Sequence, residues 1–285
     1  EALLITARDT EMVSSLLKER LTEEQMKRVT LFTCDNNDTW ARDVAPISLI
    51  ANKASKDSSQ TLRLLDFCFN GWGEKFAAEK DNRINRQLHE AGLLQGVLES
   101  HKDFVLEGGS IESDGERTLF TTTSCLMAPH RNQPLTQEDI DKQLRLFFPN
   151  VERVIWLDYG QLAGDDTDGH IDTIVRIAPN NTLLYIGCDE KEDEHYEDFR
   201  LLEEQLKQLR TLNGEPYRLL RLPMPDAIYD DDERLPATHA NFLIINGAVL
   251  VPTYNQPEKD KEALDTIQEA FPDREIIGID SRTII

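Results

Sequence analysis

Apolar positions recur at helical spacing in five stretches, residues 11–21, 82–94, 137–148, 193–212 and 259–271, and this periodicity predicts five amphipathic helices. Each is followed by a short apolar run: Val29-Thr30-Leu31-Phe32, Phe104-Val105-Leu106, Val154-Ile155-Trp156-Leu157, Tyr217-Arg218-Leu219-Leu220 and Glu275-Ile276-Ile277-Gly278-Ile279. These runs are rich in β-branched and aromatic side chains, which pack well on a pleated surface, so they read as strands. The opening Glu1-Ala2-Leu3-Leu4-Ile5-Thr6 reads as a further strand. Helix followed by strand, repeated along the chain, places the protein in the α/β class. Phe148-Pro149 leads into a strand closing on Asp158, and Phe271-Pro272 into one closing on Asp280. An internal repeat and an ordinary α/β alternation both account for that echo.

No linker-like composition interrupts the chain, so a single domain is expected over residues 1–285. The acidic run 190–198 sits at the start of an expected helix, where carboxylates interact well with the unpaired amides of the first turn. Asp230-Asp231-Asp232-Glu233 reads as an exposed loop, because consecutive acids rarely converge on one ion.

With 39% apolar residues over 285 positions, the chain has ample material for a buried core. Its formal charge of −22, from 53 acidic and 31 basic side chains, repels phosphate backbones and anionic lipid and attracts cations. Neither a nucleic-acid nor a membrane partner is therefore expected. Cys34, Cys68, Cys125 and Cys188 are widely spaced, without a CxxC pair or a cysteine–histidine cluster. A reduced, cytoplasmic protein without a metal or other cofactor fits this usage.

Three polar segments follow strand ends, where α/β proteins place their chemistry. Asp38-Thr39-Trp40-Ala41-Arg42-Asp43 offers an apolar wall, a cation and a carboxylate, or simply a core tryptophan beside a local ion pair. Leu106-Glu107-Gly108-Gly109-Ser110-Ile111 sets Glu107 beside paired glycines, which allow close backbone approach to a ligand or merely a tight turn. In Gly164-Asp165-Asp166-Thr167-Asp168-Gly169-His170-Ile171-Asp172-Thr173-Ile174 the spacing fails the EF-hand pattern, which needs acids at alternate positions and a glutamate at the twelfth. If a strand runs from Ile171, alternation puts His170 and Asp172 on one face, as a catalytic pair or as a structural histidine with its partner. Together these segments suit a planar cation, since carboxylates pair bidentately with a guanidinium and an aromatic face adds cation–π attraction. They contain no nucleophile.

Six segments in order resemble the signatures of agmatine deiminases and related bacterial peptidylarginine-deiminase-type proteins of the guanidino-group-modifying, or pentein, superfamily. They are Thr39-Trp40-Ala41-Arg42-Asp43, Phe69-Asn70-Gly71-Trp72-Gly73, Leu106 to Ile111, Gly164 to Asp172, Leu235-Pro236-Ala237-Thr238 and Val251-Pro252-Thr253-Tyr254-Asn255. The resemblance implies a pentein α/β-propeller: five ββαβ-type repeats around a pseudo-fivefold axis with a central active site. It implies hydrolysis of agmatine to N-carbamoylputrescine and ammonia through a covalent cysteine thiouronium, in polyamine metabolism. Asp43 and Asp172 look like the carboxylates that grip the guanidinium, His170 the general acid and base, and Glu107 the supporting carboxylate. Trp40 falls where the family lines the guanidinium pocket, and Asp166 is a candidate for the group near the distal amine. The family's nucleophile belongs to a Gly-rich His-Cys segment beyond the strand ending this sequence, and a segment before Glu1 is also usual, so a chain trimmed at both ends is expected. None of the four cysteines matches the nucleophile's motif. A peptidylarginine deiminase, or an inert guanidinium-binding member, are the alternatives. Relatives are often oligomeric, which is compatible with a homo-oligomer.

Overall fold

The computed structural model describes residues 2–50 and 62–285. The chain divides into two compact units, Glu1–Gly108 and Gly109–Ile285, at a point where composition gives no linker signal.

The first unit begins with β1 (Leu3–Ala7), α1 (Thr10–Lys18), α2 (Glu23–Met26) and β2 (Val29–Thr33). The two strands pair in parallel from Leu3 with Val29 to Ala7 with Thr33. Both helices start as the sequence dictates: the Asp9 side chain accepts from Met12 N, and Thr22 and Gln25 form a reciprocal capping box. There follow α3 (Ala41–Val44), β3 (Ile47–Leu49), β4 (Arg63–Cys68), α4 (Gly71–Glu74), α5 (Ile84–Glu90) and β5 (Val97–Val105). β4 is the middle strand, antiparallel to β3 and parallel to β5, with a register shift between Phe67 and Cys68. It is buried from Leu64 to Phe67, as expected of a strand covered on both faces.

The second unit repeats that order of strands three times. β6 (Ile111–Ser113), β7 (Thr118–Thr122) and β8 (Arg153–Leu157) make one sheet, with α6 (Thr123–Leu126) and α7 (Gln137–Phe147) between the last two strands. β9 (Val175–Ala178), β10 (Thr182–Gly187), α8 (Tyr196–Gln208) and β11 (Arg218–Pro223) make the next. After a two-residue-per-strand hairpin of β12 (Tyr229–Asp230) and β13 (Glu233–Arg234) comes the last, β14 (Leu243–Ile245), β15 (Ala248–Thr253), α9 (Pro257–Ala270) and β16 (Glu275–Asp280). In each sheet the middle strand is antiparallel to its predecessor and parallel to its successor. The helical crossover is what allows a parallel neighbour. Phe120, Leu157, Ile171, Leu184, Phe199 and Phe242 are among the core residues of this unit.

Three expectations change. The first strand is Leu3–Ala7, and Glu1 lies outside the described residues. Asp230 and Glu233 pair in the β12–β13 hairpin rather than in a plain loop, with Asp231 at φ 50° in its turn. The third concerns the site: Ile171–Thr173 is a 3₁₀ turn, and the strand starts only at Val175. Strand alternation therefore does not orient His170 and Asp172. Among the described residues no helix is long and apolar enough to cross a membrane.

Candidate functional site

In the first unit, Asp43 lies in the single turn of α3 and is buried. Its Oδ2 accepts a hydrogen bond from the Trp72 indole Nε1 at 3.0 Å. A carboxylate among aromatic rings requires such a donor, because its desolvation otherwise goes uncompensated. Trp72 reaches Asp43 through an uncommon backbone: Gly71, Trp72 and Gly73 all have positive φ, 66°, 54° and 86°. A side chain at Gly71 would place Cβ 2.0 Å from the Phe76 carbonyl oxygen, so only glycine fits there. Asn70 fixes the turn by accepting from Gly73 N at 2.9 Å. The indole meets Phe69, Phe76 and Trp40 edge-on at centroid distances of 5.3, 5.6 and 6.1 Å. Trp40 itself is 42% exposed.

Glu107 lies two residues beyond the end of β5 and is fully buried. Burial pushes the Cys68 thiol up, opposed by Lys102 and reinforced by Glu107. Gly108 closes on the α3 segment, for its added Cβ would lie 2.1 Å from the Arg42 carbonyl oxygen. The paired-glycine segment and the Trp40–Asp43 segment are thus held in backbone contact.

In the second unit, the loop before His170 is built on Asp165. Its carboxylate accepts from Thr167 N at 2.9 Å, Thr167 Oγ1 at 2.6 Å and Gly169 N at 2.8 Å. Thr167 Oγ1 in turn accepts from His170 N at 3.0 Å. The buried Arg131 donates to Asp168 Oδ2 and the Thr167 carbonyl at 2.6 and 2.7 Å. Gly169 has φ 94°, and a Cβ there would meet Ser124 Oγ at 2.5 Å. His195 Nε2 accepts from Ala163 N at 2.9 Å while its Nδ1 faces Asp193 Oδ1 at 2.7 Å. Burial works against the ionised Asp193 carboxylate, yet Arg234 and the His195 bonds hold it well below the usual carboxylate range.

His170, the N-cap of the 3₁₀ turn, and Asp172, within it, are both buried. Asp166 is exposed on the loop. The fold also brings Cys125, fully buried in α6, to His170: its Sγ and a ring nitrogen of His170 lie within 4.8 Å. Their separation in sequence hid this pair. Trp72 was visible only as part of a glycine-rich signature, and the positive-φ demand of Gly71 and Gly73 is the signal that a tryptophan between them is deliberately placed.

The Porphyromonas-type peptidyl-arginine deiminase family matches over residues 1–285. The chain belongs to this family. A crystal structure of the "Putative Arginine Deiminase" from Porphyromonas gingivalis is 49% identical, with a TM-score of 0.92 over 100% of this chain and 80% of that one. A Cys-to-Ser variant of agmatine deiminase from C. Jejuni with substrate bound is 36% identical, with a TM-score of 0.87 over 99% of this chain and 78% of that one. A Vibrio parahaemolyticus protein named "Putative agmatine deiminase" is 33% identical over 268 residues, 87% of this chain and 72% of the relative. The fold is accordingly an α/β fold of the pentein type, and the family suggests a hydrolase acting on a C–N bond.

Proposed function

We propose that the protein is an agmatine deiminase, converting the guanidinium of agmatine to the ureido group of N-carbamoylputrescine with release of ammonia. The observation that carries this reading is the match, along nearly the whole chain, to the substrate-bound C. Jejuni agmatine deiminase. The two units are read as parts of one pentein domain with five repeats about a pseudo-fivefold axis and a central site. Among the described residues, four sheets of one strand order and the parallel β1–β2 pair support that reading.

In this reading Asp43 and Asp172 grip the guanidinium nitrogens, Trp40 lines the pocket, and Asp166 meets the distal amine. A thiolate attacks the amidine carbon while His170 protonates departing ammonia. Water, deprotonated by His170, then hydrolyses the thiouronium and frees the thiolate. Glu107 supports the histidine and the substrate. The thiolate is assigned to none of the four cysteines: burial pushes the Cys34, Cys68 and Cys188 thiols up, away from ionisation, and Cys125 does not match the nucleophile's motif. We place the reaction in cytoplasmic polyamine metabolism, following the family resemblance.

The test is to incubate the full-length protein with agmatine, free arginine and an arginyl peptide, measuring ammonia and the ureido product. Agmatine should have the highest kcat/KM. Preference for the arginyl peptide would make it a peptidylarginine deiminase, and no ammonia from any of the three would make it an inert member.

A further inference from the structure

Asp172 lies in a 3₁₀ turn of three residues, Ile171–Thr173, and His170 is its N-cap. An element that short has little intrinsic stability. Its internal bonds include Thr173 N to the His170 carbonyl at 3.4 Å and Ile174 N to the Ile171 carbonyl at 3.0 Å. A series of hydroxyl groups ties it to its surroundings. Thr122 Oγ1 donates to the Gly169 carbonyl at 2.5 Å on the entry side, and Thr173 Oγ1 donates to the His170 carbonyl at 2.8 Å. On the exit side Thr238 Oγ1 donates to the Thr173 carbonyl at 2.7 Å and accepts from Ala240 N at 3.1 Å. Thr238 is in turn gripped from both sides of its backbone by one phenol. Thr238 N donates to Tyr254 Oη at 3.0 Å, and Tyr254 Oη donates to the Thr238 carbonyl at 2.8 Å. Thr238, Thr173 and Tyr254 are all buried, so water does not compete for these bonds.

We propose that Thr238, locked by Tyr254, is a positioning residue that fixes the orientation of the His170–Asp172 turn for the proton transfers. The inference rests on the reading of His170 as the general acid and base. Thr238 acts through the Thr173 carbonyl and does not touch the substrate. The physical requirement is geometric: proton transfer needs the imidazole within hydrogen-bond reach of the moving proton, and a displacement near 1 Å can cost on the order of 10²-fold in rate. Valine keeps the size and β-branching of Thr238 and removes only the hydroxyl. Serine keeps the hydroxyl and removes only a methyl group. The pair therefore separates the hydrogen bond from the packing.

The experiment compares Thr238→Val, Thr238→Ser, Tyr254→Phe and His170→Ala in the full-length protein, with steady-state kinetics on agmatine, the pH profile of kcat, and thermal melts to establish the folded fraction. Per folded molecule, Thr238→Val should lower kcat by about 10- to 100-fold and shift the pH profile, with Thr238→Ser within about 3-fold of wild type. Tyr254→Phe should fall between them, and it tests the grip on Thr238 should the valine variant fail to fold. If the valine and phenylalanine variants turn over like wild type while His170→Ala is inactive, the positioning role is overturned and the acid–base reading stands. If serine fails as badly as valine, packing and not the hydroxyl governs the site, and the inference is wrong. If His170→Ala itself keeps near-normal turnover, the acid–base reading fails and takes the inference with it.

Discussion

Replacing Gly108 with alanine adds one methyl group at the closest approach between the paired-glycine segment and the segment that carries Asp43. The new Cβ would lie 2.1 Å from the Arg42 carbonyl oxygen, whereas contacts under 3.0 Å are essentially never seen. The obstacle is backbone and cannot rotate aside, so the two segments must separate by about 1 Å, enough to cost on the order of 10²-fold in rate if both carry site residues. Overpacking of this kind destabilises by about 1–3 kcal/mol. At roughly 2–4 °C per kcal/mol for a large domain, melting should fall by several degrees while the protein remains folded at 25 °C. The assay is steady-state hydrolysis of agmatine by the full-length variant, beside Gly247→Ala as a control. Gly247 has φ 77° but nothing within 4 Å of its added Cβ, so that variant should lose about 1 kcal/mol of stability through backbone strain and keep its turnover. A Gly108→Ala protein with wild-type kinetics would show that the Arg42 contact is architectural only and that Glu107 and Asp43 need not be kept in register.

Asp172→Asn should abolish turnover without a large change in melting temperature, since losing a carboxylate that meets a guanidinium removes on the order of 2–5 kcal/mol; near-wild-type kinetics would exclude Asp172 from the site. Cys125→Ser should retain turnover within a few fold, and a loss beyond about 10²-fold with the fold intact would make Cys125 the nucleophile. Tyr254 supplies a pH test: burial, with Asp260 adding to it against the Thr238 bond, pushes its phenol up to about 12. The folded state then holds the proton more tightly than the unfolded one, so stability contributed below pH 10 is lost as pH rises from about 10 to about 12, up to roughly 3 kcal/mol at ~1.4 kcal/mol per unit. Chemical denaturation across that range should show the decline, and Tyr254→Phe should flatten it.

Long periodic segments were legible because their physics is local. The helix expected over 137–148 is Gln137–Phe147, and the run ending each helix–strand pair falls on β2, β5, β8, β11 or β16. The middle strands were harder: Leu119, Phe120, Leu183 and Leu184 sit in runs buried on every residue, which carry neither alternation nor helical spacing. The candidate site was nominated from residue types, and its geometry was illegible. His170 and Asp172 drew attention through chemistry, but their orientation comes from a 3₁₀ turn tied to Thr122 and Thr238, residues far away in sequence. Thr238 and Tyr254 stood inside recognisable segments without any local sign that one grips the other. The expected helix at 193–212 begins only at Tyr196, because Asp193 and His195 are taken by long-range bonds to Arg234 and Ala163.

The turn at Trp72 shows why such arrangements persist. A tryptophan at φ 54° costs about 1–2 kcal/mol relative to the right-handed region. Against that stands a hydrogen bond to a buried carboxylate, about 1.5–3 kcal/mol, and three edge-on aromatic contacts at roughly 0.5–1.5 kcal/mol each. The local balance favours the strained turn, so it needs no subsidy from distant packing. The Asp43 carboxylate is thereby held in a fixed direction by a rigid indole donor. Orientation that is already in place is what a planar cation rewards, because a guanidinium pairs well only with oxygens lying in its own plane.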